Sequence, residues 1–246
     1  MKPSLQLFAL PGLPMVRAGD DLPPLLEDAM TRAGLMPEPG DVLAVAQKIV
    51  SKAEGRSIAL ASVQPSQAAR DLAEQTGKDA RLVELILCES QYVVRARPNL
   101  IIVKHRLGFV MANAGIDQSN IGADGHALLL PRDPDGSAAA LSARLGLPVV
   151  ITDSFGRAWR RGTVGVAIGA SGLPALRDLR GLPDLFGRTL MVSITGFADE
   201  IAAAAGLVMG QGAEGQPAIL LRGLSWSGAV TPAAELIRPA QEDLFQ

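Results

Sequence analysis

The chain has 246 residues, 48% of them apolar and 20% charged, with 26 glycines and 17 prolines. That balance suffices for a buried core and excludes a disordered chain, and the glycine and proline excess forecasts many tight turns. Its 23 basic and 25 acidic side chains leave a formal charge of -2, so no broad positive field is available for nucleic acid.

In chain order, Leu5–Leu10 reads as a strand, and Asp20 or Asp21 caps a helix that admits Pro23 and ends before Gly34. Asp41–Val50 is a second strand-like run, with Lys52 falling where it runs out. Ser66–Gly77 has a hydroxyl start and a glycine stop, and Asp79 opens a further helix whose apolar side is Leu82, Val83, Leu85 and Ile86. The single cysteine, Cys88, follows Leu85-Ile86-Leu87 and is expected to be a buried, inert thiol. Leu100–His105 is strand-like, and Leu100–Ile116 as a whole is one bent strand or a hairpin. Ser137–Leu145 is a short amphipathic helix, and Pro148–Asp153, Val164–Ile168, Thr189–Ile194 and Ala218–Arg222 are strands. Ala198–Met209, with four successive alanines, is a slim helix suited to close packing.

The elements interleave irregularly, which points to a mixed α+β fold rather than a regular doubly wound sheet. The expectation is one catalytic unit over residues 1–246, or two interwoven subdomains without a fixed boundary. The longest uncharged run, Gly162–Leu176, holds four glycines and Pro174 and is too short to span a bilayer. The apolar N-terminal run lacks a cleavage site. The expected location is cytoplasmic, with no membrane partner.

Three loops look chemical. Met209-Gly210-Gln211-Gly212-Ala213-Glu214-Gly215 satisfies G-x-G-x-x-G, but a helix precedes it and a strand follows, the reverse of a dinucleotide fold. What survives is a glycine-rich turn whose amides can approach phosphate, or an ordinary helix-to-strand turn. Asn113-Ala114-Gly115-Ile116-Asp117-Gln118-Ser119-Asn120 places polar groups after an apolar run. Thr152-Asp153-Ser154-Phe155-Gly156-Arg157 ends a strand in a carboxylate and a hydroxyl. Asp117 and Asp153 together could supply the oxygen ligands that a hard divalent cation wants, although each also suits a turn or a cap. Lys48 and Lys52 could offset phosphate charge, and Arg157, Arg160 and Arg161 could face an anionic substrate or form a solvated cluster. His105 and His126 are too far apart for a local zinc motif, and no nucleophile-elbow or P-loop motif occurs.

Taken as an ordered set, these strings resemble the γ-glutamyl ligase family of deazaflavin coenzyme (coenzyme F-420) biosynthesis. The resemblance is carried by Leu10-Pro11-Gly12-Leu13-Pro14, Ser51-Lys52-Ala53-Glu54-Gly55, His105-Arg106-Leu107-Gly108-Phe109-Val110, Ala114–Asn120, Thr152–Arg157, and Asp199-Glu200 followed by Met209-Gly210-Gln211. It implies GTP-dependent addition of L-glutamate to the phospholactyl carboxylate of the deazaflavin precursor through an acyl phosphate, with further γ-linked glutamates possible. It also implies two Mg²⁺ or Mn²⁺ ions per site, K⁺, and an intertwined homodimer with mixed and antiparallel sheets in an unusual α+β fold. By position, Leu10, Pro11, Gly12, Leu13, Pro14, Gln47, Lys48, Lys52 and Asn120 resemble nucleotide contacts. So does the loop of Met209, Gly210, Gln211, Gly212, Ala213, Glu214, Gly215 and Gln216. Asp117, Asp153, Ser154 and Gln211 match metal-ligand positions. Lys52 offsets phosphate charge and Glu214 is the candidate base. A metal-dependent nucleotide or phosphoester hydrolase and a non-catalytic nucleotide-binding oligomer remain open alternatives.

Overall fold

The structure, a computed structural model, describes residues 4–119 and 124–243. In chain order its elements begin with β1 (Gln6–Ala9), α1 (Leu22–Arg32), β2 (Val42–Ala46), α2 (Gln47–Ala53), β3 (Ser57–Ala59), α3 (Gln67–Thr76), α4 (Ala80–Cys88) and β4 (Ser90–Arg97). They continue with β5 (Leu100–His105), β6 (Val110–Ala112), β7 (His126–Leu128), α5 (Pro134–Leu145), β8 (Val149–Gly156) and β9 (Thr163–Ser171). The last are β10 (Arg177–Asp178), β11 (Ile194–Thr195), α6 (Phe197–Met209) and β12 (Ala218–Arg222). Among the described residues no helix is long and apolar enough to cross a membrane.

The main sheet runs β1-β12-β2-β8-β9, with β2 and β8 parallel and every other pair antiparallel. The mixed α+β expectation is met. Both faces of the sheet are covered, which is why its central strands are continuous apolar runs. Leu43, Val45, Val149, Ile151 and Leu220 point into a core shared with Leu22, Leu26 and Met30 of α1 and Leu141 and Leu145 of α5. The alternate residues Val42, Ala44, Val150, Ile219 and Leu221 face Ala198, Ile201, Ala202 and Ala205 of α6. The alanine-rich helix lies so close that a Cβ at Gly165 of β9 would strike the Ala202 carbonyl.

A second layer hangs from one end of this sheet. There β4, β5 and β6 form an antiparallel sheet, and its inward Ile101 and Val103 pack with Leu82, Val83 and Ile86 of α4 and Ala69 and Ala73 of α3. The pair β3 and β7 stitches the two regions together, and β10 and β11 are the base of a projecting hairpin.

Caps explain most helix boundaries. Ser66 accepts a hydrogen bond from the Ala69 amide, and Gly77 closes α3 in the left-handed conformation. Asp79 caps α4, and Asp133 caps α5 with Pro134 in its first turn, starting that helix three residues ahead of the expected Ser137. Asp21 takes the capping position of α1 without a side-chain cap, and its carboxylate instead pairs with Arg144 of α5 at 2.7 Å.

Three expectations are corrected and one open choice is resolved. The run Asp41–Val50 is strand only to Ala46, and the chain then turns into α2, so Gln47, Lys48 and Lys52 stand on a helix. Thr189–Ile194 is not a full strand, since only Ile194 and Thr195 pair within β11. Of the bent strand and the hairpin expected over Leu100–Ile116, the structure has the hairpin, formed by β5 and β6. Cys88 is exposed, because its turn of α4 faces away from the core that Ile86 enters.

Candidate active site

The carboxyl end of β8, the β2–α2 junction, the 13–16 loop and the 209–217 loop enclose a cavity of about 540 Å³. Gln47, Lys48 and Lys52 line one wall, Thr152, Asp153 and Ser154 another, and Met209 to Pro217 the rim. The side chains reach it because β2 and β8 are adjacent parallel strands, and Ala46, where β2 ends, pairs with Thr152. Such an edge is the usual ligand site in sheets with parallel strands. On the opposite wall α6 ends at Met209, and Gly210, at φ +73°, turns the chain into the loop. At this corner Gly206 and Gly165 both line the cavity.

Hydrogen bonds set the geometry of the acidic groups. Asp117 accepts from the Ser119 amide at 2.6 Å and the Ser119 hydroxyl at 2.7 Å, and pairs with Lys48 Nζ at 2.6 Å. The Lys48 contact joins Asp117 to the cavity wall. Asp153 Oδ1 accepts from the Ser154 amide at 2.8 Å. Ser154 Oγ donates to Gln211 Oε1 at 2.6 Å, tying β8 to the glycine-rich loop. Glu214 folds back to accept from the Gly212 amide at 2.7 Å. Gln47 is buried and accepts from Ser51 Oγ at 2.9 Å, which fixes its amide against the wall.

The two carboxylates differ electrically. Burial pushes the Asp153 carboxyl up to about 6; the Ser154 amide opposes this, nearby Asp117 adds to it, and Lys48 offsets part. At Asp117 burial also acts upward, but Lys48 and the two Ser119 donors outweigh it and hold the carboxyl below its ordinary value. Burial lowers the Lys52 ammonium, with like-charged Lys48 adding and Asp117 opposing.

The donor set fits a hard divalent cation. Asp117, Asp153, Ser154 and Gln211 can each offer an oxygen, and Asp153 is a half-buried carboxylate with a single hydrogen-bond donor. Among the described residues no group of three His, Cys, Asp or Glu side chains gathers to hold a metal. A cation here would therefore complete its shell with phosphate oxygens and water, as Mg²⁺ and Mn²⁺ commonly do.

The segments expected to be functional thus converge, with stated exceptions. Leu13 and Pro14 line the cavity, whereas Leu10 is buried in the sheet core and Pro11 and Gly12 form a turn whose carbonyls accept from Arg32. Asn120 lies outside the described residues. Arg157, Arg160 and Arg161 follow β8 but do not line this cavity. Met15, Val16, Ile49, Thr152, Gly165 and Gly206 line it without having been singled out. Of these, only Thr152, inside the Thr-Asp-Ser string, carried a local signal.

The protein is of the mixed-sheet α+β class, with Lys48, Lys52, Asp153 and Ser154 on the walls of its cavity. Residues 12–223 match the family described as F420-0:Gamma-glutamyl ligase. A coenzyme F420:L-glutamate ligase of Methanothermobacter thermautotrophicus is 46% identical over 98% of this chain and 99% of its own length. Those of Methanopyrus kandleri (46% identical, 99% of this chain and 98% of its own) and Archaeoglobus fulgidus (43%, 98% and 96%) are similar over comparable spans. The chain belongs to the F420-0:gamma-glutamyl ligase family.

Proposed function

We propose that this protein is a GTP-dependent ligase that adds L-glutamate to the phospholactyl carboxylate of a deazaflavin precursor. Family membership supports the glutamate and deazaflavin substrates. The observation that carries the rest is the convergence of Lys48, Lys52, Asp153, Ser154 and the 209–217 loop on one cavity, with Asp117 tied in through Lys48. Its volume of about 540 Å³ suits a nucleotide-sized ligand.

Joining a carboxylate to an amine in water needs an activated carboxyl group. A carboxylate oxygen of the acceptor attacks the γ-phosphorus, the bond to the GDP oxygen breaks, and an acyl phosphate forms. The glutamate amine then attacks the acyl carbon, loses a proton, and inorganic phosphate leaves. Phosphoryl transfer of this type depends on positioning and charge neutralisation more than on a protein nucleophile. Asp117, Asp153, Ser154 and Gln211 would hold Mg²⁺ or Mn²⁺, which supplies charge neutralisation across the phosphates. Lys52 adds a fixed positive charge on the wall, and the glycine-rich loop brings amides within reach of phosphate. Glu214, on the rim, is the candidate base for the proton of the amine.

The same reading includes a homodimer. The hairpin between β10 and β11 exposes Leu182, Leu185, Phe186, Met191 and Val192, with Leu185 98% and Phe186 85% accessible. An apolar arm of this kind is covered economically by a second copy. Light scattering of the wild type and of a Leu185→Asp/Phe186→Asp variant tests it, a dimer turning monomeric being the expected result.

The central test combines purified protein, GTP, Mn²⁺, L-glutamate and the deazaflavin precursor. Mass spectrometry should record a gain of one glutamate with matching GDP and phosphate. Phosphate release that needs neither glutamate nor acceptor would replace this reading with a metal-dependent hydrolase.

A further inference from the structure

A second cavity, also of about 540 Å³, lies outside the site described above and is lined by Arg95, Arg97, Leu100, Ile102, Ala158 and Trp159. Cross-strand pairing explains its floor. Arg95 stands opposite Ile102 and Arg97 opposite Leu100, so all four share the face of the β4–β5 sheet turned away from the α3–α4 core. The loop after β8 brings Trp159 over this face.

Three features are unusual together. Trp159 is 89% exposed and has φ +63°, a left-handed backbone that bulky residues seldom adopt without a functional reason. Among the described residues Arg95 and Arg97, and the neighbouring loop residues Arg157, Arg160 and Arg161, form no ion pair with a carboxylate. Arg157 Nη1 is buried and lacks a hydrogen-bond partner there as well. Arg95 and Arg97, unneutralised at one cavity in a chain of net charge -2, mark a site for an electron-rich or anionic group. An exposed indole beside them offers a stacking face to a planar ring.

The strand connects the two cavities. Asp153 and Trp159 are six residues apart along β8 and its exit loop, so their Cα atoms lie within about 22 Å. We propose that the Arg95–Arg97–Trp159 cavity binds the far end of the acceptor, its planar deazaflavin ring on the indole and the polar edge of that ring against the arginines. The near end, the reacting carboxylate, then reaches the cavity at Asp153. This inference rests on the ligase reading above and assigns the acceptor a second anchor outside the nucleotide cavity.

Steady-state ligation with Mn²⁺, GTP, L-glutamate and varied deazaflavin acceptor tests it in the full-length protein. Arg95→Ala/Arg97→Ala and Trp159→Ala are each expected to raise the acceptor KM about tenfold, the scale of one stacking or charged contact, with the KM for GTP and glutamate within about twofold of wild type. Arg95→Lys/Arg97→Lys should recover part of the loss. Without GTP, the acceptor should quench tryptophan emission in the wild type and not in Trp159→Phe, where Trp226 remains. A wild type that ligates alongside variants with unchanged acceptor KM overturns the anchor and leaves the ligase reading intact. Variants that lose GTP affinity in parallel, or change oligomeric state, also overturn it. A wild type that ligates nothing overturns the ligase reading itself.

Discussion

Two acidic side chains, Glu89 in the protein interior and Asp153 at the cavity wall, behave in opposite ways. Glu89, at the junction of α4 and β4, accepts from Arg56 at 2.8 Å and from Arg106 at 3.0 Å, with His105 Nε2 at 3.6 Å. Burial pushes its carboxyl up, but nearby His105 and the Arg56 and Arg106 donors outweigh burial and hold it at about 2. Arg56 also donates to the Leu130 carbonyl, so the cluster fastens the second layer to the chain segments beside the main sheet. Asp153 has one amide donor and no adjoining guanidinium, and burial leaves its carboxyl near 6. A saturated buried charge fixes architecture, whereas an undersaturated one is held ready for a ligand that brings its own positive charge.

The contrast can be broken at either end. Asp153→Ala should reduce ligation by more than about 100-fold, beyond the loss typical of groups that only support a metal ligand. Its thermal midpoint should hold level or rise, because a half-buried carboxylate with one hydrogen-bond donor is removed. Full ligation by this variant in the mass-spectrometric assay would dismiss Asp153 as a metal ligand. Glu89→Ala should do the reverse, costing roughly 3–5 kcal/mol in urea unfolding as two arginines lose their buried partner, with turnover per folded molecule retained.

Acid sharpens the same contrast. Glu89 has its carboxyl at about 2 when folded against an ordinary 4.5, so its contribution is complete above 4.5 and is lost as pH falls from there toward 2. Urea midpoints of wild type and Glu89→Gln should therefore converge below pH 4. A gap that stays constant down to pH 2.5 would show that the cluster acts through packing instead.

A smaller effect is expected at Lys48, whose ammonium occupies Asp117 at 2.6 Å. Lys48→Met should tighten Mn²⁺ binding without nucleotide by about two- to fivefold, the range of a partly exposed ion pair, and weaken GTP binding. Manganese spin resonance and GTP titration measure the two arms; looser Mn²⁺ binding would contradict the exchange. The smallest effect belongs to Cys88. Burial, Glu84 and Glu89 raise its thiol, so it stays protonated at neutral pH. Cys88→Ser should change stability by less than about 0.5 kcal/mol, and thiol labelling of the wild type should be slow.

Where local chemistry decided the outcome, the sequence was informative. Ser66, Gly77 and Asp79 bracket α3 and α4 with side-chain and left-handed caps, and the inverted context of the 210–215 glycines is realised by α6 before them and β12 after. The strings around Asp153 and Gln211 are local as well, and their meeting at 2.6 Å follows from the strand order. The β2–α2 boundary was not legible because Val42 to Val50 is apolar on every side except Gln47 and Lys48. With both sheet faces covered, no period of two exists to separate strand from helix. The capping Asp133-Pro134 pair was a readable start for α5 that the reading passed over. β4 was missed because its Ser90–Arg97 sequence presents arginines on an open face. The Glu89 cluster draws on residues 56, 89, 105 and 106, whose proximity depends on tertiary packing.

The direction of α6 has one more consequence. Its last turn, not its first, meets the glycine-rich rim, so the aligned peptide dipoles present their negative pole and a set of carbonyl oxygens to whatever enters. A glycine loop ahead of a helix welcomes a bare polyphosphate; one behind a helix repels it. The doorway therefore favours an anion already escorted by its counter-ions over the same anion bare.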